Sequence, residues 1–342
     1  MGGLVVALVV KAPDGRSLSV EISGDPTGKA VFLMHGTPGT LLGPRPRGIF
    51  LYRLGIRLIS YNRPGYPRSD RLETRIVADA AADVEAIADY FDIDKFSVIG
   101  RSGGAPHALA CAADKRLRGR LICAAALSSL APCDADDLDW YADMAQSNVQ
   151  AYRDAESDLQ ALIAEINQHA QRVRDNSQGL LHRLRPELAD ADEQAIRDVA
   201  LRRIIARTHA EALRESVDGW VDDVIALGHP WSVNFSDIIE PVLLWHGDDD
   251  MFSPVSHTRW LARQIPGSEL VLRSGAAHFE AIKVLPEILK WVLTKVNATA
   301  PATFRPAAHG RPDQLYDRAW AESSGRRGTL RHQIGEGARC LM

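Results

Sequence analysis

The 342-residue chain has only four cysteines, Cys111, Cys123, Cys133 and Cys340, and no two of them form a C-x-x-C pair. Neither a zinc knuckle nor a redox dithiol is expected from them. Scattered, reduced thiols suit a cytoplasmic protein. Long apolar runs are also missing. Residues 4–10 are apolar, but the run is short and no basic residue precedes it. A signal peptide or a membrane-spanning helix needs more, so no membrane association is expected. Position six is Val6, where myristoylation would want Ser or Thr. Nor does one sign of charge dominate. The 40 Lys and Arg stand against 44 Asp and Glu, a net of −4, which offers nucleic acid no electrostatic hold.

What is present is a 46% hydrophobic content, enough for a sizeable core, laid out in two rhythms. In residues 1–130 short apolar runs alternate with helical periodicity. Residues 5–10 and 18–22, separated by Asp14-Gly15, read as a hairpin. The runs at 30–34, 56–61, 96–99 and 121–127 read as buried parallel strands. Residues 76–91 and 105–113 read as helices, the former because Val77, Val84, Ile87, Ala88 and Phe91 share one face. The alternation implies an α/β chain with a mostly parallel sheet flanked by helices.

Residues 131–235 show helical stretches and no convincing strand, and are expected to form an inserted helical cap or lid. Residues 131–240 carry 22 Asp and Glu against 10 Lys and Arg, a net of −12. Solvated helix faces are the plain reading of that surplus, and an acidic reception for a substrate amine is the sharper one. Strand and helix alternate again in residues 236–297, with strands at 242–245 and 269–272 and helices at 255–264 and 279–296. Residues 298–342 are rich in Ala, Arg, Gly and Pro, and are expected to be a disordered, weakly basic tail.

Four short segments carry chemistry. Gly100-Arg101-Ser102-Gly103-Gly104 lies between a strand and a helix, the context in which G-x-S-x-G presents a nucleophilic serine. Its flanking glycines leave room for a sharp turn at Ser102. The alternative is a Gly-rich loop with an incidental serine. His35-Gly36-Thr37-Pro38-Gly39 ends the 30–34 strand. Acyl transfer needs two donors for an oxyanion. The backbone N–H of Gly103 supplies one and Thr37 the other, since Pro38 has none. His35 is expected beneath the site, as a loop-stabilising residue rather than a base. Trp245-His246-Gly247-Asp248-Asp249-Asp250 follows another strand, where a carboxylate reaches the carboxyl edge of the sheet. Asp250 is the expected acid, with Asp248 the alternative and Asp249 a solvated charge. Ser274-Gly275-Ala276-Ala277-His278-Phe279 follows the last strand. The chain order nucleophile, acid, histidine leaves only His257, His278, His309 and His332, and His278 alone sits in a loop at a strand's carboxyl end.

With Tyr61-Asn62-Arg63-Pro64-Gly65-Tyr66, these elements resemble the α/β-hydrolase superfamily, in its esterase and proline-iminopeptidase-like branch, over roughly residues 18–296. The chain departs from that branch at Asn62, Pro67, Thr37 and Gly103. The last two weaken a peptidase reading. The resemblance implies covalent acyl transfer on Ser102, Asp250 and His278, with no metal or organic cofactor and a small-molecule substrate. A carboxylic ester hydrolase is expected, an aminopeptidase or a non-catalytic ligand-binding protein being the alternatives. Arg101 is larger and more charged than the usual residue beside the nucleophile. It is expected to pair with a carboxylate of the cap rather than with an anionic substrate group. Trp140, Tyr141, Tyr152, Trp220, Trp231 and Phe235 are expected mostly in the cap core.

Overall fold

The computed structural model describes residues 8–299. The expected tail beyond them lies outside the described residues, as do the first residues of the expected hairpin. Eight strands form one sheet: β1 (Leu8–Lys11), β2 (Ser17–Gly24), β3 (Lys29–Met34), β4 (Ile56–Tyr61), β5 (Phe96–Arg101), β6 (Leu121–Leu127), β7 (Val242–Gly247) and β8 (Glu269–Arg273). Their spatial order is β1-β2-β4-β3-β5-β6-β7-β8. The β1–β2 hairpin and the β2–β4 pair are antiparallel, and every other pairing is parallel.

The central strands β3 to β7 are mostly apolar because both of their faces are covered. Successive side chains point to opposite faces, so neighbouring residues enter different cores. Phe32, Val98, Ala124, Ala126 and Leu244 enter one, with helices α2 (Ala80–Tyr90), α3 (Ala105–Ala113) and α10 (Val255–Gln264). Val31, Ile99, Ala125 and Leu243 enter the other, beneath α1 (Gly48–Arg53), α11 (Glu280–Lys283) and α12 (Leu285–Thr299). The alanines of β6 leave room for α3 and α12 to pack closely on its two sides.

Between β6 and β7 the chain runs through α4 (Gln146–Ser157), α5 (Leu159–Asp175), α6 (Leu180–Leu184), α7 (Asp190–Ala195), α8 (Val199–Ala212) and α9 (Asp218–Leu227), with no strand among them. Their apolar residues, including Leu162, Ile166, Leu201, Ile205, Val221 and Val224, belong to the same buried cluster as the α3 face of the sheet. Strand order reverses around β3, between β4 on one side and β5 on the other. In such sheets the crevice beyond the carboxyl ends at the reversal is where ligands bind.

Candidate active site

Each of the four segments leaves a strand at its carboxyl end. Ser102 follows β5 with φ of 53°, a left-handed conformation that a residue with a Cβ adopts only under strain. The turn is possible because its neighbours lack side chains. A Cβ on Gly104 would lie 2.5 Å from the His35 carbonyl oxygen and 2.6 Å from that of Met34. One on Gly103 would collide with the Thr37 hydroxyl and lie 3.2 Å from the Thr37 nitrogen. Thr37 and Gly103 therefore face each other beside Ser102.

The loop after β3 is anchored from below and from the inserted helices. His35 is buried; its Nδ1 donates to the Gly36 carbonyl at 2.8 Å, and its Nε2 accepts from the Arg63 amide at 3.2 Å. Burial, reinforced by the nearby Arg63 charge, holds the imidazole well below its usual range, so it stays neutral and serves as a strut. Asn62 accepts from the Leu41 amide at 2.6 Å and donates to the Pro67 carbonyl at 2.7 Å, closing the turn between them. The Thr37 hydroxyl donates to Asp223 of α9 at 2.5 Å. Asp223 is 0% exposed and also takes Arg63, Arg75 at 2.6 Å and the Tyr66 hydroxyl at 2.7 Å. Burial pushes its carboxyl up, but the two guanidinium groups outweigh that and hold it well below the usual carboxylate range.

Of the three consecutive aspartates, Asp250 alone turns inward. Asp248 is exposed and accepts from the Gly275 amide at 2.8 Å, and Asp249 is exposed. Asp250 is buried, and its Oδ2 lies 2.8 Å from Nδ1 of His278. Its Oδ1 accepts from the amides of Phe252 and Ser253, each at 2.9 Å. Burial again raises the carboxyl, and it is overcome by His278 and by hydrogen bonding from His246 and His278, leaving it well below its ordinary value. An ionised carboxylate only accepts, so Nδ1 of His278 carries the proton and Nε2 is left with its lone pair.

Ser102 and His278 line one cavity of about 200 Å³, together with Thr37, Gly103, Tyr152 and Trp220. Among the described residues the Ser102 hydroxyl makes no hydrogen bond to His278, a contact that such sites commonly tighten when substrate binds. Trp140, Trp231 and Phe235 are buried packing residues, whereas Tyr152 and Trp220 reach the cavity wall.

Two site residues were not anticipated. His246, buried beside Asp250, donates from Nε2 to the Ser253 carbonyl at 2.6 Å and is bound at Nδ1 by the Thr258 hydroxyl at 2.6 Å. Its place in the W-H-G-D-D-D segment was its only signal. Asp192 of α7 accepts from the amides of His278 at 3.3 Å and Phe279 at 2.7 Å, so an inserted helix holds the histidine loop. Nothing local marks it among the acidic residues around it.

One expectation is corrected. Arg101 does not pair with a carboxylate of the inserted helices. Among the described residues no carboxylate meets it, and burial alone pulls its guanidinium down to about 10. The acids in question are engaged elsewhere: Asp222 with Arg71, Asp223 with Arg63 and Arg75, and Glu187 with Ser147.

Comparison with known proteins bears on the fold. The sequence model of the alpha/beta hydrolase fold matches residues 29–282, and the chain belongs to that family. A proline iminopeptidase of Xanthomonas citri is 32% identical over 113 residues, which is 32% of this chain and spans only 36% of that protein. Among solved structures, an enol-lactonase from Burkholderia xenovorans LB400 superposes with a TM-score of 0.62 at 17% identity, over 85% of this chain and all of the other. A bromoperoxidase from Bacillus anthracis gives 0.64 at 18%, over 85% and 100%. An esterase from Rhodococcus sp. ECU1013 gives 0.59 at 18%, over 86% and 99%. At such identities the likeness is one of fold. Among the described residues no helix is long and apolar enough to cross a membrane.

Proposed function

We propose that the protein is a cytoplasmic serine hydrolase that cleaves a carboxylic ester of a small molecule through an acyl-enzyme. Ser102 attacks the carbonyl carbon, and Nε2 of His278 takes its proton. The tetrahedral oxyanion is held by the backbone N–H groups of Thr37 and Gly103. His278 then returns the proton to the leaving alcohol, and water repeats the sequence on the acyl-enzyme. Asp250 fixes the tautomer and stabilises the imidazolium. The helices from α4 to α9 act as a cap over the site.

The observation that carries this reading is the Asp250–His278 hydrogen bond of 2.8 Å, with His278 and the strained Ser102 lining one cavity. A protein that only bound ligands would have no need of that combination. Against an aminopeptidase stands the electrostatics of the cavity. Among the described residues its one acidic lining residue, Glu165, is exposed, while Arg101 sits beside the nucleophile, where a protonated substrate amine would be repelled.

The test is fluorophosphonate labelling of Ser102, together with turnover of p-nitrophenyl esters of rising chain length beside proline-β-naphthylamide. Ser102→Ala should lose on the order of 10³ to 10⁶ in kcat, because members of a triad act as a unit. Its melting temperature should match the parent, because alanine keeps the Cβ and with it the strain of the turn. A variant that keeps more than a tenth of the parent's turnover means the nucleophile is another residue.

A further inference from the structure

Arg101 ends β5 and directly precedes Ser102, and both residues line one cavity. Its side chain runs past Gly36, where a Cβ would lie 3.6 Å from Nη2, towards Thr208 and His209 of α8. It is half-buried, and it lines both the cavity that holds Ser102 and a smaller one beneath the loop after β3. A guanidinium withdrawn from water without a counter-charge is costly, and structures normally supply a carboxylate. Here none is supplied among the described residues.

His209, which also lines the cavity and feels the Arg101 charge, cannot serve as the counter-charge. Nδ1 of His209 donates to the Ile205 carbonyl at 3.0 Å, which leaves Nε2 as an acceptor. Burial, with a smaller push from the Arg101 charge, brings His209 down to about 4, so near neutrality it carries no charge. A neutral acceptor can take a hydrogen bond but cannot balance a cation. Lys and Arg side chains that merely cover apolar surface keep their heads in water. Arg101 instead is one of the residues that line the cavity holding Ser102.

We propose that Arg101 is the anion subsite of the active site, and that the substrate is an ester or lactone bearing a carboxylate close to the scissile bond. The guanidinium receives that carboxylate with two parallel N–H···O bonds, a geometry that lysine cannot reproduce. The inference rests on the hydrolase reading above and narrows it to a substrate class. It also accounts for a long charged residue at a position that needs only to pass the chain from strand to elbow.

Two pairs of small esters test the proposal, with acid release followed by pH-stat. Monoethyl glutarate against ethyl pentanoate places the anion on the acyl side. Butyryloxyacetate against propyl butyrate places it on the alcohol side. The parent protein should favour the anionic member of at least one pair by about tenfold or more in kcat/KM, the scale of a hydrogen bond to a charged group. Arg101→Met should erase that ratio, and Arg101→Lys should restore part of it. Calorimetric titration of Ser102→Ala protein with the favoured anionic ester, with and without Arg101→Met, reads the subsite without hydrolysis. Neutral esters turned over with no preference for either anionic partner overturn the subsite and leave the hydrolase standing. Arg101-dependent binding without turnover of any ester overturns ester hydrolysis and leaves the subsite. Neither binding nor preference overturns the proposal outright.

Discussion

Asp248, Asp249 and Asp250 differ by one or two positions in the chain and by almost everything else. A solvated carboxylate in the first two places is one charge among many. At Asp250 the same group is stripped of water and given four partners: two backbone amides, His246 and His278. Replacing it by asparagine offers His278 an N–H₂ as readily as a carbonyl oxygen. The wrong tautomer then becomes accessible, with losses of about 10⁴ in the best-studied triad. Asp250→Asn should therefore depress kcat by several orders of magnitude. Asp249→Asn should leave it within a factor of two or so, and Asp248→Asn, which disturbs one exposed hydrogen bond to Gly275, should cost little more. Steady-state kinetics of the three proteins side by side decide the assignment. Should Asp248→Asn prove the damaging one, the loop works in a different register from the one seen. The aspartate run was legible as a site because it follows a strand, but which member turns inward is set by the hydrogen bonds of the following turn, and these lie beyond any spacing rule.

At the scale of elements, the central strands were readable because a strand covered on both faces is mostly apolar, and α2 because Val84, Ile87 and Ala88 share one buried face. Strand order was not readable. The placement of β3 between β4 and β5 is a long-range pairing that no local segment encodes. The same limit hid the supports of the site. Asp192 reaches the His278 loop from 86 residues away, so the sequence displayed only an acidic surplus where the fold has a specific clamp. That clamp has a pH signature. Burial pushes the Asp192 carboxyl up to about 6, against the partial relief of His278 and the two amides. An unfolded aspartate titrates near 4. Between about pH 4 and 6 the folded protein thus holds this proton more tightly than the unfolded chain does, and the residue's contribution to stability falls as pH rises through that window. Asp192→Asn lacks the titration. Relative to the parent, it should therefore gain stability on going from pH 4 to pH 7, by at most about 3 kcal/mol. Denaturant melts of both proteins at the two pH values measure the difference. A gap that stays constant, or moves the other way, shows that folding does not raise the Asp192 carboxyl.

Over the whole molecule, the inserted helices and the sheet are joined in two ways. They share one apolar cluster, and they are fastened by Asp223, which is 0% exposed and ties α9 to Arg63 and Arg75 and, through Thr37, to the loop beside Ser102. An insertion attached only through polar surface would open and melt by itself. This one cannot separate from the sheet without exposing apolar area and stranding two guanidinium groups that have given up their water. Residues 8–299 should therefore unfold in one step, with calorimetric and van't Hoff enthalpies in agreement and with tryptophan fluorescence and far-ultraviolet circular dichroism moving together. Trp220 on the inserted α9 and Trp245 on strand β7 of the sheet report on the two regions. Removing one partner of a buried ion pair typically costs 3–5 kcal/mol, because the other charge is left uncompensated. For a body of this size Asp223→Ala should lower the melting temperature by roughly 5–15 °C. Cooperativity is the sharper readout. If α9 is the fastener described here, the variant should show helical signal lost ahead of the main transition while the sheet still stands. A parent protein that already melts in two stages would show that the inserted helices rest on the sheet without being locked to it, and a single unshifted transition in Asp223→Ala would show that the apolar cluster alone holds them.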